Sequence, residues 1–165
     1  MLLAVLAFTS CIYAQQGIKE RIKVGDQLPQ FELQSSVYGN VSSAQLKGKV
    51  VLVCLFATWC PPCQLELADV QGKLYPQYKG NADFRLLVIG REHTDEQLSA
   101  YNEKKKFTFP LYPDPKRQVF DLFADASIPR AYLFGKDGKL VKATIGYTKA
   151  EFNEMMAEIG KALNK

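Results

Sequence analysis

The sequence predicts an α/β domain, a central mixed sheet flanked by helices on both faces, with an extra N-terminal β-hairpin. Three observations carry that expectation. Val50 to Phe56 is a run of seven apolar residues without alternation, which marks a strand buried on both faces as in a parallel sheet. A second buried strand, Phe84 to Gly90, is expected after a helical segment. Two further strands and a closing helix come last, and a β-α-β unit followed by a hairpin and a helix builds one mixed sheet covered on both sides.

The elements follow in order. Gly25-Asp26-Gln27-Leu28-Pro29 is a turn, Phe31 to Gln34 alternates like a strand, and Tyr38-Gly39-Asn40 turns again, which makes a β-hairpin. After Val50–Phe56 a helix is expected from about Pro61. Leu67, Val70, Leu74 and Tyr78 share one of its faces, and Pro76 should kink or end it. Thr94 to Gln97 is a capping box opening a helix that closes near Lys104 to Lys106. Asp114-Pro115 reads as an N-cap with proline at the first helical position, starting a short helix through Phe123. Ala131 to Phe134 and Leu140 to Ile145 are strands joined at Gly135-Lys136-Asp137-Gly138. Thr148 to Glu151 caps a final helix whose core face is expected to be Phe152, Met156, Ile159 and Leu163.

Composition narrows the function classes. The 165 residues suit one domain, and 47% hydrophobic with 12% aromatic content excludes a disordered chain. Four cysteines are too few for a disulfide-stapled scaffold. The net charge of +4 is spread out, and its densest run, Lys104 to Lys106, is too small for a nucleic-acid footprint. No nucleic-acid partner is expected.

Residues Leu2 to Phe8 are wholly apolar; Thr9, Ser10, Cys11, Ile12, Tyr13 and Ala14 follow, then a polar Gln15-Gln16-Gly17. An apolar core ending in small residues reads as an export signal, here residues 1–14, with the domain proper over 19–165. The alternative is a buried N-terminal strand or helix. A rival cut before Cys11 would make a lipoprotein signal and a lipid anchor at that cysteine. Either cut places the protein in the periplasm or cell envelope, where cysteine pairs can be driven oxidised.

The chemistry centres on Trp59-Cys60-Pro61-Pro62-Cys63, where a buried strand meets a helix N-terminus. Two residues between the cysteines let a disulfide close across the first helical turn. Unpaired N–H groups there favour a thiolate at Cys60, the nucleophile, and Cys63, deeper in the turn, is the natural resolving thiol. Pro61 and Pro62 stiffen the turn and each remove one donor. Zinc is the rival reading of a C-x-x-C pair. A structural site needs four ligands, and the remainder is Cys54 inside a strand, Cys11 and one histidine, so no metal is expected. Glu66 lies one helical turn after Cys63 among apolar neighbours. Half-buried there, it would have a raised pKa and could shuttle the Cys63 proton; the alternative is a solvated helix glutamate. Ile128-Pro129 opens directly into a strand and is a candidate cis bond or an ordinary trans turn. Arg91 and His93 follow the second parallel strand, so they either rim the same sheet edge as Cys60 or sit on a solvated loop. Arg130 is a further candidate for substrate contact.

These residues together resemble the thioredoxin superfamily. Within it the chain is similar to the TlpA/ResA-like extracytoplasmic thiol-disulfide oxidoreductases. The likeness rests on WCPPC after an apolar strand, Glu66 in the W-C-x-x-C-x-x-E pattern, Val24-Gly25-Asp26 in the extra hairpin, and Leu46 to Val51 leading into the strand. It covers about Val24 to Leu163. The resemblance implies a thioredoxin-like fold and a cis Pro129 packed against the Cys60–Cys63 pair. It also implies client contact through Trp59, Pro61, Pro62, Ile128 and Pro129, with strand-like hydrogen bonds from the Ile128 backbone. It departs from cytoplasmic thioredoxin six residues before Cys60, where Cys54 replaces a buried aspartate. Cys54 then reads as inert core and Glu66 as the substitute.

The expected function is extracytoplasmic thiol-disulfide exchange that reduces envelope client proteins, with Cys60, Cys63 and Glu66 as catalytic residues. No cofactor beyond the redox-active Cys60–Cys63 disulfide is expected. Partners would be client proteins with thiols or disulfides and a membrane thiol reductant, with apocytochromes (cytochrome c biogenesis) among the clients. The alternatives are a non-catalytic thioredoxin-fold binding or chaperone module and a thiol peroxidase.

Overall fold

A computed structural model describes residues 20–165; the expected signal segment, 1–14, and Cys11 lie outside them. The main sheet has five strands: β3 (Val50–Phe56), β4 (Phe84–Arg91), β5 (Leu111–Asp114), β6 (Arg130–Phe134) and β7 (Leu140–Ile145), in the order β5-β4-β3-β6-β7. β3, β4 and β5 run parallel, while β6 and β7 are antiparallel to their neighbours. The sheet is therefore mixed, as expected. Ahead of it β1 (Glu32–Leu33) and β2 (Val41–Ser42) pair antiparallel as a separate two-stranded sheet.

All seven residues of β3 are buried, because the central strand is covered on both faces. Val50, Leu52, Cys54 and Phe56 join a core beneath α1 (Pro61–Asp69), α3 (Asp95–Lys105) and α5 (Lys149–Leu163). Val51, Val53 and Leu55 join a second core with Phe31 and Leu33 of the hairpin segment and with Phe120 and Phe123 of α4 (Phe120–Phe123). The period-two alternation of a strand thus divides one apolar run between two cores.

Two local expectations are corrected, and a third, the break at Pro76, takes a specific form. The helix expected after Pro115 begins later, at Phe120, and Leu111–Asp114 is a strand. The Asp114 side chain still caps the helix, accepting from the N–H groups of Val119 (3.2 Å) and Phe120 (2.8 Å) across the intervening turn. The long helix after Pro61 is interrupted by a π turn at Val70–Leu74 before α2 (Tyr75–Tyr78). Pro76 cannot donate to the carbonyl one turn back, and the irregularity falls just before it. In α5 the buried methionine is Met155, with Met156 only partly buried, so the face is Phe152, Met155, Ile159 and Ala162.

The topology decides where chemistry collects. The parallel strands β3, β4 and β5 end at one edge of the sheet, and the antiparallel β6 begins there. Cys60, His93, Asp114 and Pro129 consequently gather at one edge from segments far apart in sequence.

Candidate active site

At this edge β3 hands over to α1 through Ala57-Thr58-Trp59-Cys60. Cys60 is the N-cap of α1, and Pro61 and Pro62 fill its first two positions. Neither proline has an N–H, so the first donor the helix offers is that of Cys63, and it points to Cys60 Sγ at 3.3 Å. Cys60 and Cys63 are joined in a disulfide with Cα atoms 5.3 Å apart. Cys63 is fully buried and Cys60 nearly so, whereas Trp59, Pro61 and Pro62 are exposed. The sulfur pair therefore lies directly under an apolar rim, with Trp59 62% exposed.

One turn deeper in α1, Glu66 is buried rather than half-buried, at 5% exposure. Its Oε2 has no hydrogen-bond partner. Loss of hydration disfavours the carboxylate and pushes its pKa up to about 8. Glu66 lines a small cavity together with Cys54 of β3. Burial pushes the Cys54 thiol well above its ordinary range, and the neighbouring Glu66 pushes it the same way. Cys54 is thus a neutral core thiol facing the acid.

On the β6 side the Ile128–Pro129 peptide bond is cis. Leu55 pairs with Arg130, so Pro129 falls at the level of Phe56, beside the loop that leads to Cys60. Pro129 is buried and Ile128 half-buried. Arg130, a candidate for substrate contact by sequence, is instead fully buried. Its guanidinium binds the carbonyls of Ala126 and Ser127, the Tyr132 hydroxyl and the Glu20 carboxylate. It secures the loop before Pro129 from within and cannot touch a client. Among the described residues no group of three or more His, Cys, Asp or Glu side chains is placed to hold a metal ion.

The family model described as AhpC/TSA family matches residues 24–143. The chain belongs to the AhpC/TSA family. Among its family relatives, thiol-disulfide oxidoreductase ResA of Bacillus thuringiensis is 27% identical over 142 residues, covering 86% of this chain and 81% of that protein. ResA of Bacillus subtilis is 28% identical over 130 residues, covering 78% and 70%. The solution structure of a proposed protein disulfide isomerase from Bacteroides thetaiotaomicron superposes with a TM-score of 0.85 at 31% identity, covering 90% of this chain and 94% of that one. StoA of Bacillus subtilis superposes at 0.62 with 22% identity, covering 78% and 96%, a likeness of fold. The thioredoxin-like α/β architecture is common to these structures.

Two contacts in this family member were not legible in the sequence. His93 does not rim a groove: it is buried, and its Nε2 lies 2.9 Å from both the backbone nitrogen and the hydroxyl of Thr58. Arg91 stacks between Trp59 and Phe120, with its guanidinium carbon 5.8 and 5.0 Å from the two ring centroids. A lone arginine at the end of a strand and a lone histidine in the turn after it carry no spacing that could have announced either contact.

Proposed function

We propose that this chain is an exported thiol-disulfide oxidoreductase that reduces disulfides of client proteins in the cell envelope. The observation that carries this reading is the Cys60–Cys63 disulfide at a helix N-terminus, with an exposed apolar rim above it and an unpartnered buried carboxylate below. The named activity of the ResA relatives supports it.

In the reduced protein Cys60 is the attacking thiolate, stabilised by the Cys63 N–H and the helix end. It attacks one sulfur of a client disulfide; that S–S bond breaks, a Cys60–client mixed disulfide forms, and the other client sulfur leaves as a thiolate. Cys63 then loses its proton to Glu66 and attacks Cys60 Sγ. The mixed disulfide breaks, the second client thiolate leaves, and Cys60–Cys63 is oxidised; two electrons have passed to the client. A carboxyl near 8 matches an ordinary thiol closely enough for that proton to move with little cost. Trp59, Pro61 and Pro62 supply the contact surface for the client. Ile128, whose backbone makes no backbone hydrogen bond among the described residues, is free to pair with an extended client segment. The apolar leader supports export, with residues 1–14 as its signal, 19–165 as the thioredoxin-like domain and a lipid anchor at Cys11 as the alternative. Regeneration requires an outside dithiol, which in an envelope is a membrane thiol reductant.

Reduction of insulin by dithiothreitol tests the reading. The protein is expected to accelerate it, Cys60→Ser to abolish the acceleration, and Cys63→Ser to accumulate a mixed disulfide with the client. A wild-type protein no faster than dithiothreitol alone points to a binding module, or to a thiol peroxidase if it consumes peroxide instead.

A further inference from the structure

The turn between β4 and α3 is built around a tight contact with the active-site loop. At Gly90 a Cβ would lie 2.7 Å from Leu98 Cδ2 and 3.4 Å from His93 Cβ, so any larger residue would have to displace the Leu98 side chain of α3. Glu92 holds a left-handed φ of 62°, uncommon for a residue with a side chain, and its N–H donates to the Asp114 carbonyl (2.9 Å). The turn closes with the His93 N–H on the Gly90 carbonyl (3.3 Å). Arg91 and His93, on either side of Glu92, reach the two residues that precede Cys60: Arg91 lies against the Trp59 ring, and His93 meets Thr58.

The His93 contact fixes its own chemistry. A backbone N–H can only donate, so Nε2, 2.9 Å from the Thr58 nitrogen, must be the unprotonated ring atom. The neutral ring then carries its proton on Nδ1, which is buried and has no partner. Leaving a buried donor unpaired is costly, and the opposite tautomer would set an N–H against an N–H. The arrangement therefore favours the acceptor role toward Thr58 over satisfaction of the ring.

We propose that His93 is a positioning residue for the exchange reaction: as the Nδ1-protonated tautomer it anchors the Thr58 N–H and so holds Cys60 Sγ against the Cys63 N–H. The inference rests on the reading of Cys60 as the attacking thiol, but both measurements below are made without a client, so they stand or fall separately from insulin reduction. Nitrogen-15 spectra of the wild-type imidazole are expected to show Nδ1 protonated and Nε2 bare. In a Cys63→Ser background, the rate at which iodoacetamide alkylates Cys60 at pH 7 is expected to fall about tenfold in His93→Phe, the size of effect one buried hydrogen bond supplies. His93→Gln, whose Oε1 stands near the place of Nε2, is expected to return it to within about threefold of the parent. Leu140→Ala, a core truncation in the other half of the protein, controls for lost stability and should leave the rate unchanged. A protonated Nε2 in the wild type overturns the proposal, even where His93→Phe fails to fold. So does a His93→Phe rate equal to the parent's, or a Leu140→Ala rate that falls as far.

Discussion

Glu66 and Asp114 are carboxylates of nearly equal burial, 5% and 4% exposed, one against each core of the same sheet. Asp114 accepts hydrogen bonds from the N–H groups of Val119 and Phe120 at the start of α4. Burial still raises its pKa, and those bonds oppose the rise. Glu66 has only desolvation acting on it, no donor meets its Oε2, and its pKa reaches about 8. A buried acid with donors is an anchor for the backbone it caps. A buried acid without them is a group whose charge is costly near neutrality and which gains and loses a proton readily. Desolvation raises both acids, and Asp114 has donors that oppose the rise whereas Glu66 has none.

The contrast is most exposed to Glu66→Gln. An acid with its folded pKa raised from about 4.5 to about 8 binds more protons folded than unfolded across that window. Its contribution to stability is therefore intact below about pH 4 and is lost progressively as pH rises to 8. Glu66→Gln is expected to match the wild type near pH 4 and to exceed it above pH 8, by on the order of several kcal/mol, in denaturant titrations. The same variant should slow resolution of a Cys60 mixed disulfide about a hundredfold and remove an inflection near 8 from its pH–rate profile. An inflection that survives would take the proton role away from Glu66.

Asp114→Ala should do the reverse. It removes a cap and leaves buried N–H groups unpaired, so we expect a loss of about 2 to 3 kcal/mol in equilibrium unfolding. The pH profile of exchange should keep its shape.

The mildest change makes one acid resemble the other. Cys54→Ser places a hydroxyl donor on the strand residue that shares the Glu66 cavity. A donated hydrogen bond favours the charged carboxyl, so the inflection is expected to move down from about 8 by up to about one unit. A shift upward would mean that the serine hydroxyl accepts from a protonated Glu66.

Much of the frame was legible because it obeys short-range rules. Val50–Phe56 and Leu140–Ile145 fall where the apolar pattern places them, and Phe84–Gly90 is longer by one residue, Arg91. The capping box at Thr94 opens α3, and at Thr148 the side chain alone caps α5, accepting from the Glu151 N–H, since caps are encoded by a few adjacent side chains. The β5 strand was not legible. It is four residues long with a proline inside, acceptable because it lies at the sheet edge, and edge position is a property of the assembled sheet. The Met155 and Met156 exchange has a similar origin: adjacent positions differ by about 100° around a helix, and the packing partner selects which one turns inward.

The same division runs through the candidate site. Two cysteines separated by two prolines at a strand–helix junction already encode a disulfide, because both sulfurs fall within one helical turn. The glutamate three residues on shares their side of the helix for the same reason. Their surroundings needed the fold. Whether Glu66 would meet a donor, whether His93 would face solvent or Thr58, and whether Arg130 would reach a client or lock a loop all depended on segments tens of residues away arriving at one sheet edge. Local spacing carries the chemistry of the sulfurs, whereas hydration and hydrogen-bond partners, which tune the groups around them, exist only after long-range packing has excluded water.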